Sequence, residues 1–320
     1  MPKNVPKNVP MNMTEKEPDP PMDFVPILAT AISTSTPLVF ASIGETFSER
    51  AGVINLSAEG TIMLSAMTGF ALARTTGSLM AGFVGAALTG AAVALIVAFG
   101  SITLAKSQVA IGFVLALLCA DLSSVLGNPF VRVPGLTVPD LPIPWLRDIP
   151  FFGPLFFRSD ALVYASYLLV IGSTAYFYGT RAGLLLRAIG EKPTSAYVRG
   201  ANVARLRYAY TLVGGALMGI GGAAFSLDFK AGWSHRHTAG YGWIALAIVI
   251  FGGWHPAKVA AGAYVFGILQ SVATVAQSAI PEVPTQVFGV APFALMIGVL
   301  VLTSRRRDAS QLVGTGSASE

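Results

Sequence analysis

Long stretches of this sequence hold almost no charge. Residues 24–127 contain seven charged side chains, Glu45, Glu49, Arg50, Glu59, Arg74, Lys106 and Asp121, and Ala161–Gly179 contains none. Soluble domains carry about 25% charged residues, whereas this chain has 12%, against 53% hydrophobic residues. So little polar surface cannot clothe a soluble core of this length. Apolar runs of about 20 residues instead suit helices crossing a bilayer. The 34 glycines and the scarcity of alternating apolar and polar runs argue against an outer-membrane barrel. The expected fold is all-α, a polytopic transmembrane helical bundle of about 8–10 spans.

The apolar segments fall at about 24–43, 53–73, 79–105, 108–127, 161–178, 208–227, 241–253, 259–280 and 287–303. Residues 1–23 repeat PKNV and are rich in Pro, Asn and Lys, the pattern of a disordered polar tail without a signal-peptide cleavage site. The expected organisation is that tail, a membrane domain over 24–303 and a cytoplasmic tail over 304–320. The Pro- and aromatic-rich stretch between Asn128 and Asp160 has three basic and three acidic residues and suits an outer loop at the lipid interface. Loop 179–207 holds Arg181, Arg187, Lys192, Arg199, Arg205 and Arg207 against Glu191, which places it in the cytoplasm. The side of the N-terminus stays open. The net charge of +5 follows from this bias; the basic residues are dispersed, with no nucleic-acid-binding patch.

Small residues recur every four positions at Gly82, Ala86, Gly90, Ala94 and Ala98, at Gly215, Gly219 and Ala223, and at Ala263 and Gly267. In lipid, such stripes let helix backbones approach closely. Segment 45–60 interrupts an apolar region with four charges and suggests a broken or re-entrant helix. Asn55 and Glu59, four apart, would share a helical face, and Glu49 with Arg50 would form a helix-end pair. A carboxylate at membrane depth must face protein, a cavity or a partner group, so Glu59 either pins neighbouring helices or serves a solute pathway with Asn55. A second segment, about 190–203, carries Pro193 and Gly200 at the spacing of a short cytoplasmic helix over 193–199.

The segments ERAGVINLSAEG and LRAIGEKPTSAYVRGANV, with GGALMGIGGAAFSLDFKAG and GYGWIALAIVIFGGWHPAKVAAGAYVFG downstream, resemble the permease subunits of bacterial ABC importers of branched-chain amino acids, simple sugars and nucleosides. The resemblance covers roughly residues 37–303, and its ERAGVINL form is closest to the nucleoside and simple-sugar permeases. It implies an inner-membrane subunit that translocates a nucleoside or simple sugar beside a second homologous permease. Cytoplasmic ATP-binding subunits and an extracytoplasmic substrate-binding lipoprotein would complete the importer. The short helix would then be the coupling helix, with Gly190, Glu191, Pro193, Ala196 and Gly200 matching; Lys192 departs from the Asn common before the proline.

The chain has no G-x-x-x-x-G-K-[ST] sequence. ATP and Mg would therefore be used by the partner ATPase, and this chain is expected to hold no cofactor of its own. No catalytic triad emerges, and His235 and His237 in one loop, without nearby Cys, make no recognisable metal site. Phe47, Phe113 and Trp243 are the aromatic candidates for stacking a nucleoside along the pathway. The alternatives are an importer permease for branched-chain amino acids and an ATPase-independent secondary transporter; the latter should show more embedded carboxylates and an inverted repeat.

Overall fold

A computed structural model describes residues 24–314 except Asp148, Phe151 and Pro281. α1 (Phe24–Arg50) is followed by a non-helical interruption over 51–57, then α2 (Ala58–Thr76), α3 (Leu79–Ala98), α4 (Gln108–Gly127) and a short α5 (Phe152–Phe156) within the long loop. The remainder is α6 (Ala161–Gly179), α7 (Arg181–Glu191), α8 (Pro193–Val198), α9 (Val203–Ala224), α10 (Tyr241–Gly252), α11 (Pro256–Ala279) and α12 (Thr285–Gly314). The architecture is the all-α polytopic bundle expected, with isolated bridges in place of strands among the described residues. The proposed tail over 1–23 and residues 315–320 lie outside the described residues, while α12 continues through 304–314 as helix.

Among the described residues, six helices are long and apolar enough to cross a membrane: Val25–Arg50, Leu79–Thr103, Gln108–Phe130, Ala161–Gly179, Val203–Phe229 and Pro256–Ala279. α10 and Thr285–Val299 are apolar but shorter. Five of the helices start where the sequence supplies a side-chain acceptor for the free N–H groups of a first turn. Ser78, Ser107, Asp160, Thr180 and Asn202 each accept from a backbone N–H two or three residues on.

Contacts at the helix ends fix the direction of each passage. Arg50, at the end of α1, meets Glu191 and the 253–254 turn; Gln108 reaches Gly52, and Thr103 bonds Tyr208. These groups cluster on the side of the basic loop. On the other side Asp121 pairs with Arg236, and Val131 bridges Trp233. Leu28 of α1 lines one apolar cavity with Ile143 and Phe157 of the long loop. α1 therefore begins on the side of the long loop and ends on the basic side, which the charge pattern alone left open.

The small-residue stripes of α3 and α9 face each other. A methyl group added at Gly219 would collide with the Ala86 carbonyl, one at Gly215 with Ala94, and one at Gly90 with the Gly215 carbonyl. Gly267 of α11 is pressed in the same way against Ala31 and Ser35 of α1. Between helices in lipid no water is released by apolar contact, so such close backbone approach supplies the packing energy instead. Large side chains such as Leu88, Val125 and Leu168 project outward, which suits a surface bathed in membrane lipid. A second core gathers Leu38, Ile43, Phe177, Leu186, Ile189 and Phe266 between α1, α6, α7 and α11.

Gly219→Val should force α3 and α9 apart and cost about 1–3 kcal/mol by overpacking. Gly172→Val on α6, where an added methyl meets nothing within 4 Å, should change little. Thermal unfolding midpoints in one detergent test the pair, and equal midpoints would contradict the seam.

Candidate functional site at the interruption between α1 and α2

The interruption folds back along the end of α1. Gly52 adopts φ +86°, a left-handed conformation open to glycine, and the Val53 N–H donates to the Ser48 carbonyl at 3.0 Å. Two residues on, the Asn55 N–H donates to Glu45 Oε1 at 3.0 Å. Asn55 Oδ1 accepts from the backbone N–H and hydroxyl of Ser57, closing the turn that starts α2, while its amide nitrogen lies 3.8 Å from Met218 Sδ. Met218 sits near the middle of the Val203–Phe229 span, so α2 begins at mid-depth.

Glu59, in the first turn of α2, reaches across to the start of α10. Its Oε1 accepts from the Gly240 N–H at 2.6 Å, and its Oε2 from the N–H groups of Gly242 and Trp243 at 2.9 and 3.3 Å. Gly240 makes the turn into α10 with φ +92°. Gly242 lies against the Glu59 backbone, and Gly60 against Ala116 of α4, both too close for any side chain. α10 has 12 residues, so at 1.5 Å per residue it spans only about 18 Å of a hydrocarbon layer about 30 Å thick. Two helix N-termini, each with free N–H groups and partial positive charge, thus converge on one carboxylate inside the bundle.

Asn55 and Glu59 do not share a helical face as their spacing suggested, because Asn55 lies in the non-helical turn and Glu59 in the helix after it. Both side chains are buried, and their polar atoms engage the protein itself. Glu49 and Arg50 also part: Glu49 accepts from the Trp254 indole N–H, while Arg50 pairs with Glu191. Phe47 is buried in an aromatic cluster, 4.8 Å from Phe177 and 6.4 Å from Tyr210 between ring centroids. Phe113 on α4 and Trp243 on α10 are 50% and 42% exposed, on two of the helices that pack against α2. The structure therefore brings Glu59 to the backbone N–H of Trp243, ties Asn55 to Glu45 and Ser57 instead, and places Phe47 in the core.

The second predicted segment lies directly beneath. Pro193 opens α8, and Ala196 is its buried residue. Gly200, with φ +86°, ends it by donating to the Tyr197 carbonyl at 2.8 Å. Tyr197 and Val198 are 71% and 80% exposed, at the rim of a cavity of about 800 Å³ bounded also by Ile102, Asn202 and Arg207. Gly190 is pressed against the Arg50 carbonyl, and Glu191 accepts from Arg50 Nη1 at 2.9 Å. Arg207 donates to the Ala51 and Ile189 carbonyls at 3.0 and 3.3 Å. Sequence reasoning missed α7 and Arg207; the buried positions Gly183, Leu186 and Ile189, three apart after the capping Thr180, were the available signal.

In the loop before α10, His237 donates from Nδ1 to the Ser234 carbonyl at 2.8 Å and has Ser226 Oγ 3.3 Å from Nε2. Burial holds its ring below the ordinary histidine pKa. His235 packs on the Trp233 ring. Among the described residues, no three His, Cys, Asp or Glu side chains gather as a metal site.

Residues 27–300 match the model of a family described as the branched-chain amino acid transport system permease component. A putative glucose ABC transporter permease protein of Haloferax volcanii is 36% identical over 79% of this chain and 78% of its own. A nucleoside ABC transporter permease protein of Lactococcus lactis is 32% identical over 86% and 91%, and a guanosine ABC transporter permease protein of Bacillus subtilis 28% identical over 92% and 98%. No solved structure matches the chain.

Glu59→Ala should leave three N–H groups, that of Gly242 buried and those of Gly240 and Trp243 half-buried, without this acceptor and destabilise the protein by about 1–3 kcal/mol. Glu59→Gln keeps one acceptor oxygen and should lose less. Amide hydrogen exchange at 240–243 should rise in that order; unchanged exchange in the alanine variant would refute the contact.

Proposed function

The chain belongs to the permease-component family of branched-chain amino acid transport systems and is a multi-pass protein of the bacterial inner membrane; from that premise we propose that it forms half of the translocation pathway of an ABC importer for a nucleoside. ATP hydrolysis, with its Mg, belongs to a separate cytoplasmic ATPase, a second homologous permease supplies the other half, and an extracytoplasmic binding lipoprotein delivers the cargo. The observation that carries this reading is the exposed short helix α8, whose preceding residues Gly190 and Glu191 sit on the interruption that leads to Glu59.

In this reading α8 is the coupling helix. Pro193 and Gly200 set its length, Ala196 seats it on the bundle, and Tyr197 and Val198 present its outer surface to the ATPase. Closure of the ATPase pair displaces α8, and the interruption carries that displacement to the contact between Glu59 and α10. Asn55 and Glu59 then act as parts of the moving joint, not as direct cargo ligands. Phe113 and Trp243, exposed on either side, contribute this chain's part of the pathway wall. Such coupling requires the ATPase to bind one state of the bundle more tightly than the other.

The relatives named for nucleoside and guanosine transport support the choice of cargo. A simple sugar is the second reading, favoured by the relative named for glucose. Ligand binding by the partner lipoprotein, measured across nucleosides, pentoses, glucose and branched-chain amino acids, decides between them.

Tyr197→Ala removes an exposed side chain and should leave stability within about 0.5 kcal/mol. It should sharply reduce recovery of the co-expressed ATPase subunit with this chain. Full recovery would remove Tyr197 from the docking surface, and failure of the unaltered chain to retain an ATPase would overturn the importer reading.

A further inference from the structure

Arg50 makes more connections than its place at a helix end requires. From the last residue of α1 it donates to Glu191 Oε1 at 2.9 Å, to the Trp254 carbonyl at 3.3 Å and to the Gly253 carbonyl at 3.4 Å. Its guanidinium carbon also lies 5.8 Å from the centroid of the Trp254 ring. The Trp254 indole donates back to Glu49, one residue before Arg50. One side chain thus joins the end of α7, the end of α1 and the turn between α10 and α11.

We infer that Arg50 is a positioning residue that clamps the 189–191 end of α7 to both sides of the mobile joint, so that displacement of α8 reaches the interruption and the inner end of α10 together. The inference rests on the coupling reading given above and adds to it the part that transmits the motion. Gly190 explains why this point is the one gripped, since its lack of a side chain lets α7 lie on the Arg50 carbonyl and near the Gly52 N–H. Arg207 holds the same junction from α9 through the Ala51 and Ile189 carbonyls. α10 is then held at its outer end by Glu59 and at its inner end by Arg50, both from segments bordering 51–57. Planar guanidinium geometry suits this task, because one fork serves a carboxylate and carbonyl groups at once.

The side-chain pair alone is a weak tie. Glu191 is 67% exposed and Arg50 16%, and solvent screening leaves such pairs little effect on stability. Its role is therefore separable from folding, and the test reads transmission directly. Ile54 is exposed within the interruption, and Cys119 is the chain's single cysteine. In a Cys119→Ala background, Ile54→Cys is labelled with a maleimide in the full complex with its co-expressed ATPase, with and without ATP and vanadate.

With Arg50 intact, nucleotide should change the labelling rate about ten-fold. In Arg50→Ala that change should vanish while the ATPase subunit is still recovered and still hydrolyses ATP; Glu191→Ala should show an intermediate change. Arg50→Lys, which keeps the charge and N–H donors but not the planar fork, should retain part of the response. A full nucleotide response in Arg50→Ala, or a loss in Arg50→Lys as complete as that in Arg50→Ala, overturns the clamp. An ATPase that is retained but leaves Ile54→Cys indifferent to nucleotide with Arg50 intact overturns the coupling reading itself.

Discussion

The first turn of α10 presents three N–H groups at a depth where lipid offers no acceptor, and Glu59 supplies the acceptors from another helix. A carboxylate at that depth and a helix end at that depth are each unfavourable. Together they satisfy one another: the partial positive charge at the starts of α2 and α10 stabilises the anion, and the anion saturates the donors. The arrangement explains why α1 and α2 are interrupted at all. The turn over 51–57 lets α2 begin inside the bundle, and beginning there is what delivers Glu59 to α10.

From that contact the bundle divides into parts of different character. α3 and α9 meet backbone to backbone and form the frame to which α2 is attached at Gly69 and Gly222. The interruption, by contrast, is held by hydrogen bonds of individual side chains: Glu45 to Asn55, Gln108 to Ile54 and Arg207 to Ala51. Directional bonds of this kind can be exchanged in a single step, whereas interlocked backbones cannot slide without opening voids. The membrane-depth joint and the exposed α8 are therefore linked through the part of the molecule best suited to switching.

Much of this was legible in the residues. Absence of charge marked the spans, the four-residue stripes marked the α3–α9 seam, and Pro193 with Gly200 marked both ends of α8. The misplacements have specific causes. Asn55 and Glu59 were put on one face because spacing four assumes helix, and only Gly52 signalled the left-handed turn that ends it. Phe47 resembled a stacking residue because an aromatic ring in an apolar run carries no mark of the direction it faces, and here it turns to Phe177. The partnership of Arg50 with Glu191 spans 141 residues and follows from tertiary packing, which no local pattern encodes.

The α3–α9 seam has one more consequence. Its closest backbone contacts are made by Gly90, Ala86, Ala94, Gly215 and Gly219, residues with no side-chain rotamers to lose on packing. The seam therefore forms without a side-chain entropy cost, and it has no alternative set of rotamers in which to reassemble. A surface of Leu or Met can meet its neighbour in several ways, but one of Gly and Ala has a single register. Whatever conformations this protein visits, the seam acts as their common coordinate frame, against which the displacement of every other helix is measured.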